Sequence, residues 1–224
     1  MAEEPAPQPL PTRFVGAWRR VSIALGGGPP REPADVLWLQ APSAFADIRL
    51  PAGPGVEPLA FAGITTWDAP ALTWHHRLDL SPSGPDVGAV EWRGDDEFVE
   101  RGVTCIDGEP STYQEVWRRE PGPAAPVAVL THAAADGACA GMLVRIGNDA
   151  IVIARTDRGI AARRDRRDAA RWWTVGSVGP AMLLPAVPDV TDDWEPGAQL
   201  RIGPVRAAAG EQVSADWLVA ELTG

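Results

Sequence analysis

The sequence predicts an all-β protein, and three observations carry that expectation. From Phe14 to Glu120, short runs of alternating apolar and polar residues follow one another at close spacing. Breakers end each run: "GGGPPREP", "APS", "PAGPG", "WDAP", "SPSGPD", "RGDD" and "IDGEP". No stretch of this half carries a convincing amphipathic helical period. Many short strands at such spacing make an antiparallel barrel or sandwich.

Strands are expected near 15–24, 35–41, 44–50, 58–66, 71–80, 87–93, 97–105 and 112–119. Eight strands joined by short turns suit an up-and-down barrel wide enough for one small ligand. The stretch "PGPAAP", 121–126, is the boundary, because its prolines remove backbone donors and stiffen the connection. Beyond it, "VAVLTHAA", "CAGMLVRIG" and "DAIVIARTD" read as strands again, with a tight hairpin turn at "GND". "AARWWTVG", "AMLLPAV", "QLRIGPV" and "ADWLVAEL" complete a smaller second sheet, the last favoured as strand over terminal helix. The organisation is a disordered tail over 1–12, a barrel over 13–120, a linker over 121–126 and a second, smaller β domain over 127–224.

Composition narrows the function. The 224 residues carry a formal net charge of −10, which argues against nucleic acid or an anionic membrane as partner. All 20 basic side chains are arginine, so Schiff-base chemistry on a lysine is excluded. Cys105 and Cys139 stand far apart without metal-ligand spacing and suit a reduced compartment. The opening "MAEEPAPQPLP" is acidic and proline-rich, unlike a signal peptide, and no run approaches the ~20 apolar residues that span a bilayer. A soluble, cytoplasmic protein is expected. The basic run "RGIAARRDRRDAAR", Arg158 to Arg171, reads as a solvated loop or short helix whose arginines are dispensable for folding. Its other reading is a docking patch for an acidic protein partner.

Several strands set polar groups among aromatic ones on a single face. Trp38 and Gln40 share a face; so do Phe45, Asp47 and Arg49; so do Tyr113, Glu115 and Trp117. In "LTWHHRLDL", strict alternation puts Leu72, Trp74, His76, Leu78 and Leu80 on one face and His75, Arg77 and Asp79 on the other. The apolar face is expected inward, because burying it contributes roughly 25 cal/mol per Å². Aromatic walls with a few oriented polar groups suit a ligand pocket. The candidate ligand-binding residues are therefore Trp38, Gln40, Phe45, Asp47, Arg49, Trp74, His76, Tyr113, Glu115 and Trp117. A solvated charged face is the competing reading, and alternation alone does not decide between them. His75 and His76 point opposite ways on a strand, so no metal site is expected, and no cofactor is implied. "GGG" at 26–28 lacks the Lys-Ser of a phosphate loop, and no nucleophile elbow occurs.

The segments "FVGAWRR", "VLWLQAPSAFADIRLP", "YQEVW" and "GMLVRIGNDAIVIA", in that order, resemble the family of a yeast protein that interacts with a casein kinase one homologue. "TWHHRLD" and "DVGAVEW" resemble stretches of its uncharacterised bacterial relatives. The resemblance runs from about residue 14 to 222. It implies two calycin-like (lipocalin-like) antiparallel β-barrels in tandem, and a binding protein with no catalytic residues to carry over. The kinase partner is not carried over, because the composition suits a high-GC bacterium. The Gly-x-Trp-x-Gly-x-Gly motif of haem-binding calycins is absent, with "FVGAWRRVSI" in its place.

The leading functional expectation is a non-catalytic protein holding a small apolar or amphipathic ligand in the first barrel. A cofactor-free cyclase, isomerase or hydratase would use the same pocket, with His75 or Asp47 as acid or base and Arg49 stabilising negative charge. A pure protein-interaction module is the third reading.

Overall fold

A computed structural model describes residues 9–82, 84–106, 108–168, 171–180, 184–189, 194–206 and 212–223. The expected tail falls largely outside these residues, apart from Leu10, which packs on the core, and a 3-10 turn over Thr12–Phe14.

The described residues of the first half form strands β1 (Gly16–Leu25), β2 (Ala34–Gln40), β3 (Phe45–Pro51) and β4 (Leu59–Asp68). Then follow β5 (Ala71–Asp79), β6 (Asp86–Trp92), β7 (Glu97–Ile106) and β8 (Glu109–Arg119). Each pairs antiparallel with the next, and β8 pairs with β1, so the sheet closes into an eight-stranded barrel. Closure leaves no open edge. The second half adds β9 (Val127–Ala133), β10 (Cys139–Ile146), β11 (Asp149–Thr156), β12 (Gly159–Asp168), β13 (Arg171–Val178), β14 (Gln199–Arg206) and β15 (Gln212–Thr223). These make one sheet in the order β13-β12-β11-β10-β9-β15-β14, where the sequence leads to a second barrel or sheet. "AMLLPAV" holds no strand among its described residues, 184–187. The "ADWLVAEL" segment lies in β15 and is a strand.

Two cores follow from strand alternation. Inside the barrel, Phe14, Trp18, Trp38, Phe45, Trp67, Leu72, Trp74, Phe98 and Trp117 form an aromatic cluster. Phe14 seals one end, its ring 4.9 Å from Trp92 and 5.2 Å from Trp67. The opposite faces of β2 to β5 carry Leu37, Leu39, Ala46, Ile48, Ala60, Ala62 and Leu78. These pack against Val129, Met142, Val144, Ile151 and Ile153 of the second sheet. The barrel's outer wall is thus itself buried, and the two halves share a core.

Strict alternation fails at one point of β5. Ala62 faces Leu78 but the next residue, Gly63, faces His76, so Arg77 is an extra residue and the strand carries a bulge. Leu72, Trp74 and His76 lie toward the interior as expected. Past the bulge the faces exchange. Leu78 and Leu80 belong to the interface with the second sheet, and Asp79 joins His76, its carboxylate 2.7 Å from His76 Nδ1. Gly63 makes room: a Cβ there would sit 1.9 Å from the His75 carbonyl oxygen.

The arginine run is a strand, which corrects the expected solvated loop. Arg164 is 2% exposed and Asp165 3% exposed within β12. Among the run's described arginines, only Arg158 and Arg171 are exposed, which leaves little of it for an acidic partner. The burial is stabilised by acids distant in the chain. Arg164 NH1 lies 3.2 Å from Asp35 and NH2 3.8 Å from Asp149. Asp35 also pairs with Arg19, and Glu120 bridges Arg19 and Arg166. These ion pairs clamp the second sheet to the barrel.

Removing Arg164 takes away one of the two cations, with Arg166, that balance the buried Asp149, and leaves a cavity in β12, so Arg164→Ala is expected to cost about 1–3 kcal/mol in urea unfolding. Arg158→Ala is expected to stay within about 0.5 kcal/mol. Gly63→Ala is expected to cost about 1–3 kcal/mol, since the bulge cannot admit a Cβ.

Candidate functional site

The end of the barrel opposite Phe14 opens into a cavity of about 720 Å³. That size suits a small organic molecule. Its aromatic walls are Trp38 from β2, Phe61 from β4, Trp74 from β5, and Tyr113 and Trp117 from β8. Asp47 and Arg49 from β3, Asp86 from β6, Glu100 from β7 and Glu115 from β8 add charge, while Ile23, Leu25, Val87, Val103 and Ile106 form an apolar rim. Inward and outward residues alternate around the barrel, so each strand contributes one or two of these groups.

Seven of the ten expected ligand residues line this space: Trp38, Asp47, Arg49, Trp74, Tyr113, Glu115 and Trp117. The other three serve elsewhere. Gln40 is buried and donates to the Ala41 and Ala44 carbonyls and to Thr65 Oγ1. Phe45 packs in the aromatic core. His76 stacks on Phe61 at 4.4 Å between Asp79 and Asp86, its Nε2 3.6 Å from Asp86. His75 is exposed on the outer face, Nε2 against Thr66 Oγ1, which removes it as an acid or base of the cavity.

Internal charges are arranged in a chain. Arg20 NH1 lies 2.6 Å from Glu115, and its Nε and NH2 hold Glu32 at 2.9 and 3.0 Å. Arg49 lies 3.0 Å from Asp47 and 3.8 Å from Glu115. Burial pushes the Asp47 carboxyl up despite Arg49 beside it, and burial likewise raises Asp86 against the pull of His76. Burial alone would lower Arg49; Asp47 and Glu115 outweigh it and hold the guanidinium above its ordinary range.

Glu100 is the residue the sequence reading missed. It is buried beside neutral donors only: Tyr113 OH at 2.5 Å from Oε1 and Trp117 Nε1 at 3.0 Å from Oε2. Gly88 and Gly102 face each other across β6 and β7 and make its space. A Cβ on Gly88 would lie 2.4 Å from Glu100, and one on Gly102 would lie 2.5 Å from the Tyr113 hydroxyl. Burial, then the charge of Glu115, pushes the Glu100 carboxyl up to about 8. Burial and Glu100 also push the Tyr113 hydroxyl up. The signal for Glu100 was the glycine pair at 88 and 102, two inward positions without a side chain on neighbouring strands.

The family model of protein HRI1 matches residues 17–221. The chain belongs to the HRI1 family. Among solved structures, this HRI1-family chain is similar to the uncharacterized protein YLR301w from Saccharomyces cerevisiae. Sequence identity is 15%, covering 93% of this chain and 98% of that chain, with a TM-score of 0.67. At that identity the likeness concerns the fold. No curated protein matches the HRI1-family chain. Among the described residues, no helix is long and apolar enough to cross a membrane, and no group of His, Cys, Asp or Glu is placed to hold a metal ion.

The raised Glu100 carboxyl couples folding of this HRI1-family barrel to pH. Between an unfolded value of about 4.3 and the folded value, the folded chain binds more protons than the unfolded one, so stability falls as pH rises. Above the folded value the fall ends. Glutamine mimics the neutral acid: its amide donates to Tyr113 Oη while its oxygen accepts from Trp117. Chemical denaturation from pH 5 to 9 is therefore expected to show a declining stability that flattens above pH 8 in the wild type. Glu100→Gln is expected to remove more than about 1 kcal/mol of that decline.

Proposed function

We propose that the protein is a binding protein that holds a small amphipathic molecule in a calycin-like first barrel. The second half, as a second calycin-like unit, braces the outer wall. One observation carries the reading: a cavity of about 720 Å³ open at one end, with aromatic walls and a belt of paired, buried charges. Packing alone gives no reason to keep this much space, since interiors are filled to near crystal density. The belt offers fixed polar partners, and the apolar rim accepts a hydrocarbon body. The calycin likeness implied by the family supports the same use of a barrel. Cys105 and Cys139 are both free, which suits a cytoplasmic protein.

A cofactor-free enzyme, such as an isomerase or hydratase, is the second reading. It is favoured by Glu100, whose carboxyl sits near neutrality beside Tyr113 where a substrate atom would lie. In that case Glu100 and not His75 moves the proton, and the molecule released from the barrel differs from the one taken up.

Native mass spectrometry of freshly purified protein tests the binding reading. An added mass that denaturation removes is expected, and Ile23→Trp, which fills the cavity mouth, is expected to abolish it. A wild-type protein that emerges bare, and quenches no tryptophan fluorescence with any amphipathic probe, would overturn the proposal.

A further inference from the structure

We propose that the barrel's ligand is an organic monocation, an amine or quaternary ammonium on an apolar body. This deepens the binding reading above and rests on it. Four carboxyl groups line the cavity, Asp47, Asp86, Glu100 and Glu115. Arg49 is the guanidinium set among them, and it is engaged by Asp47 and Glu115. Arg101 also borders the cavity, but its NH1 is bound to Glu91 at 2.6 Å on the exposed side. Arg20 behind the wall is taken up by Glu115 and Glu32. An anionic headgroup would thus have to break an existing ion pair and face surplus carboxylates. A cation meets acceptors already in place.

Glu100 is the acceptor best placed to complete such a site. Its hydrogen-bond partners are neutral, and Arg49, the guanidinium within reach, is held by Asp47 and Glu115. Aromatic rings of Trp38, Trp74 and Trp117 border the same space, and ring faces attract a desolvated cation. Trp38, one of these rings, also has a buried Nε1 without a hydrogen-bond partner. Native folds leave few buried donors orphaned. The apolar rim of Leu25, Val103 and Ile106 then covers the ligand's hydrocarbon part.

Binding is linked to protons through Glu100. Facing it are Tyr113 and Glu115 on β8, Arg49 on β3 with its partner Asp47, Asp86 on β6 and, behind Glu115, Arg20 on β1. A bound cation favours the ionised carboxylate, so the free protein's proton must leave. Affinity rises with pH up to about 8 and then levels.

The test uses the full chain and three probes below their micelle concentrations: decyltrimethylammonium, decanoate and decanol, titrated by calorimetry. At pH 8.5 the ammonium is expected to bind at least about tenfold more tightly than either of the others. Its affinity is expected to fall by about tenfold from pH 8 to pH 6.5, a change that Glu100→Gln removes. The ammonium carries a permanent charge, so that fall belongs to the protein. Circular dichroism of Glu100→Gln at pH 6.5 is expected to match that of the wild type, which shows that the barrel is intact. Decanoate or decanol binding as tightly as the ammonium would overturn the cation proposal and leave the binding reading standing. If none of the three binds, the binding reading falls, and the cation proposal with it.

Discussion

The wall made by β2 and β3, with Ala60, Ala62 and Leu78 of β4 and β5, is buried on both of its faces, and the rest of the molecule depends on that constraint. A barrel wall usually turns its outer face to water. Here Ile48 lies against the second sheet while its neighbours Asp47 and Arg49 point into the cavity. Both faces must therefore be satisfied by one strand. Aliphatic residues fill the outer side, where packing is dry and extensive. The inner side is left to aromatic rings and to charges that pair among themselves.

That division explains how much could be read from the chain. The first eight strands were legible to within a few residues, because alternation and the Gly, Pro and Asp breakers mark them independently of partners. The mixed polar and aromatic faces of β2, β3 and β8 were legible for the same reason. The bulge at Arg77 was not. One extra residue exchanges the faces beyond it, and the residue that permits it, Gly63, lies on a different strand. Glu100 was hidden because the inward set of β7, Phe98, Glu100 and Gly102, offers one apolar side chain and looks like a wet face. Its apolar surroundings come from β6 and β8.

The arginine run failed for a third reason. Four arginines in five positions look solvated when only their own segment is considered. Arg163 pairs with Asp165 inside the run and Arg167 with Asp189, but the counter-charges of Arg164 and Arg166, namely Asp35, Asp149 and Glu120, belong to the first half, to the neighbouring strand β11 and to the junction. Long-range pairing of this kind leaves no local trace in periodicity. The orphaned Trp38 Nε1 and the crowded space around Glu100 are likewise properties of the assembled barrel and not of any one strand.

The clamp between the halves has a one-sided vulnerability. Built from guanidiniums alone, in a chain without lysine, it has no basic group that gives up its proton at any pH a folded protein survives. Alkali and amine-reactive reagents leave its positive side untouched. Acid, by contrast, can discharge its carboxylates. Ions from concentrated salt reach Asp35, whose side chain is 40% exposed, far more readily than Asp149, at 8%. The ionic part of this union is therefore alkali-proof by composition, and it yields instead to acid and, at Asp35, to concentrated salt.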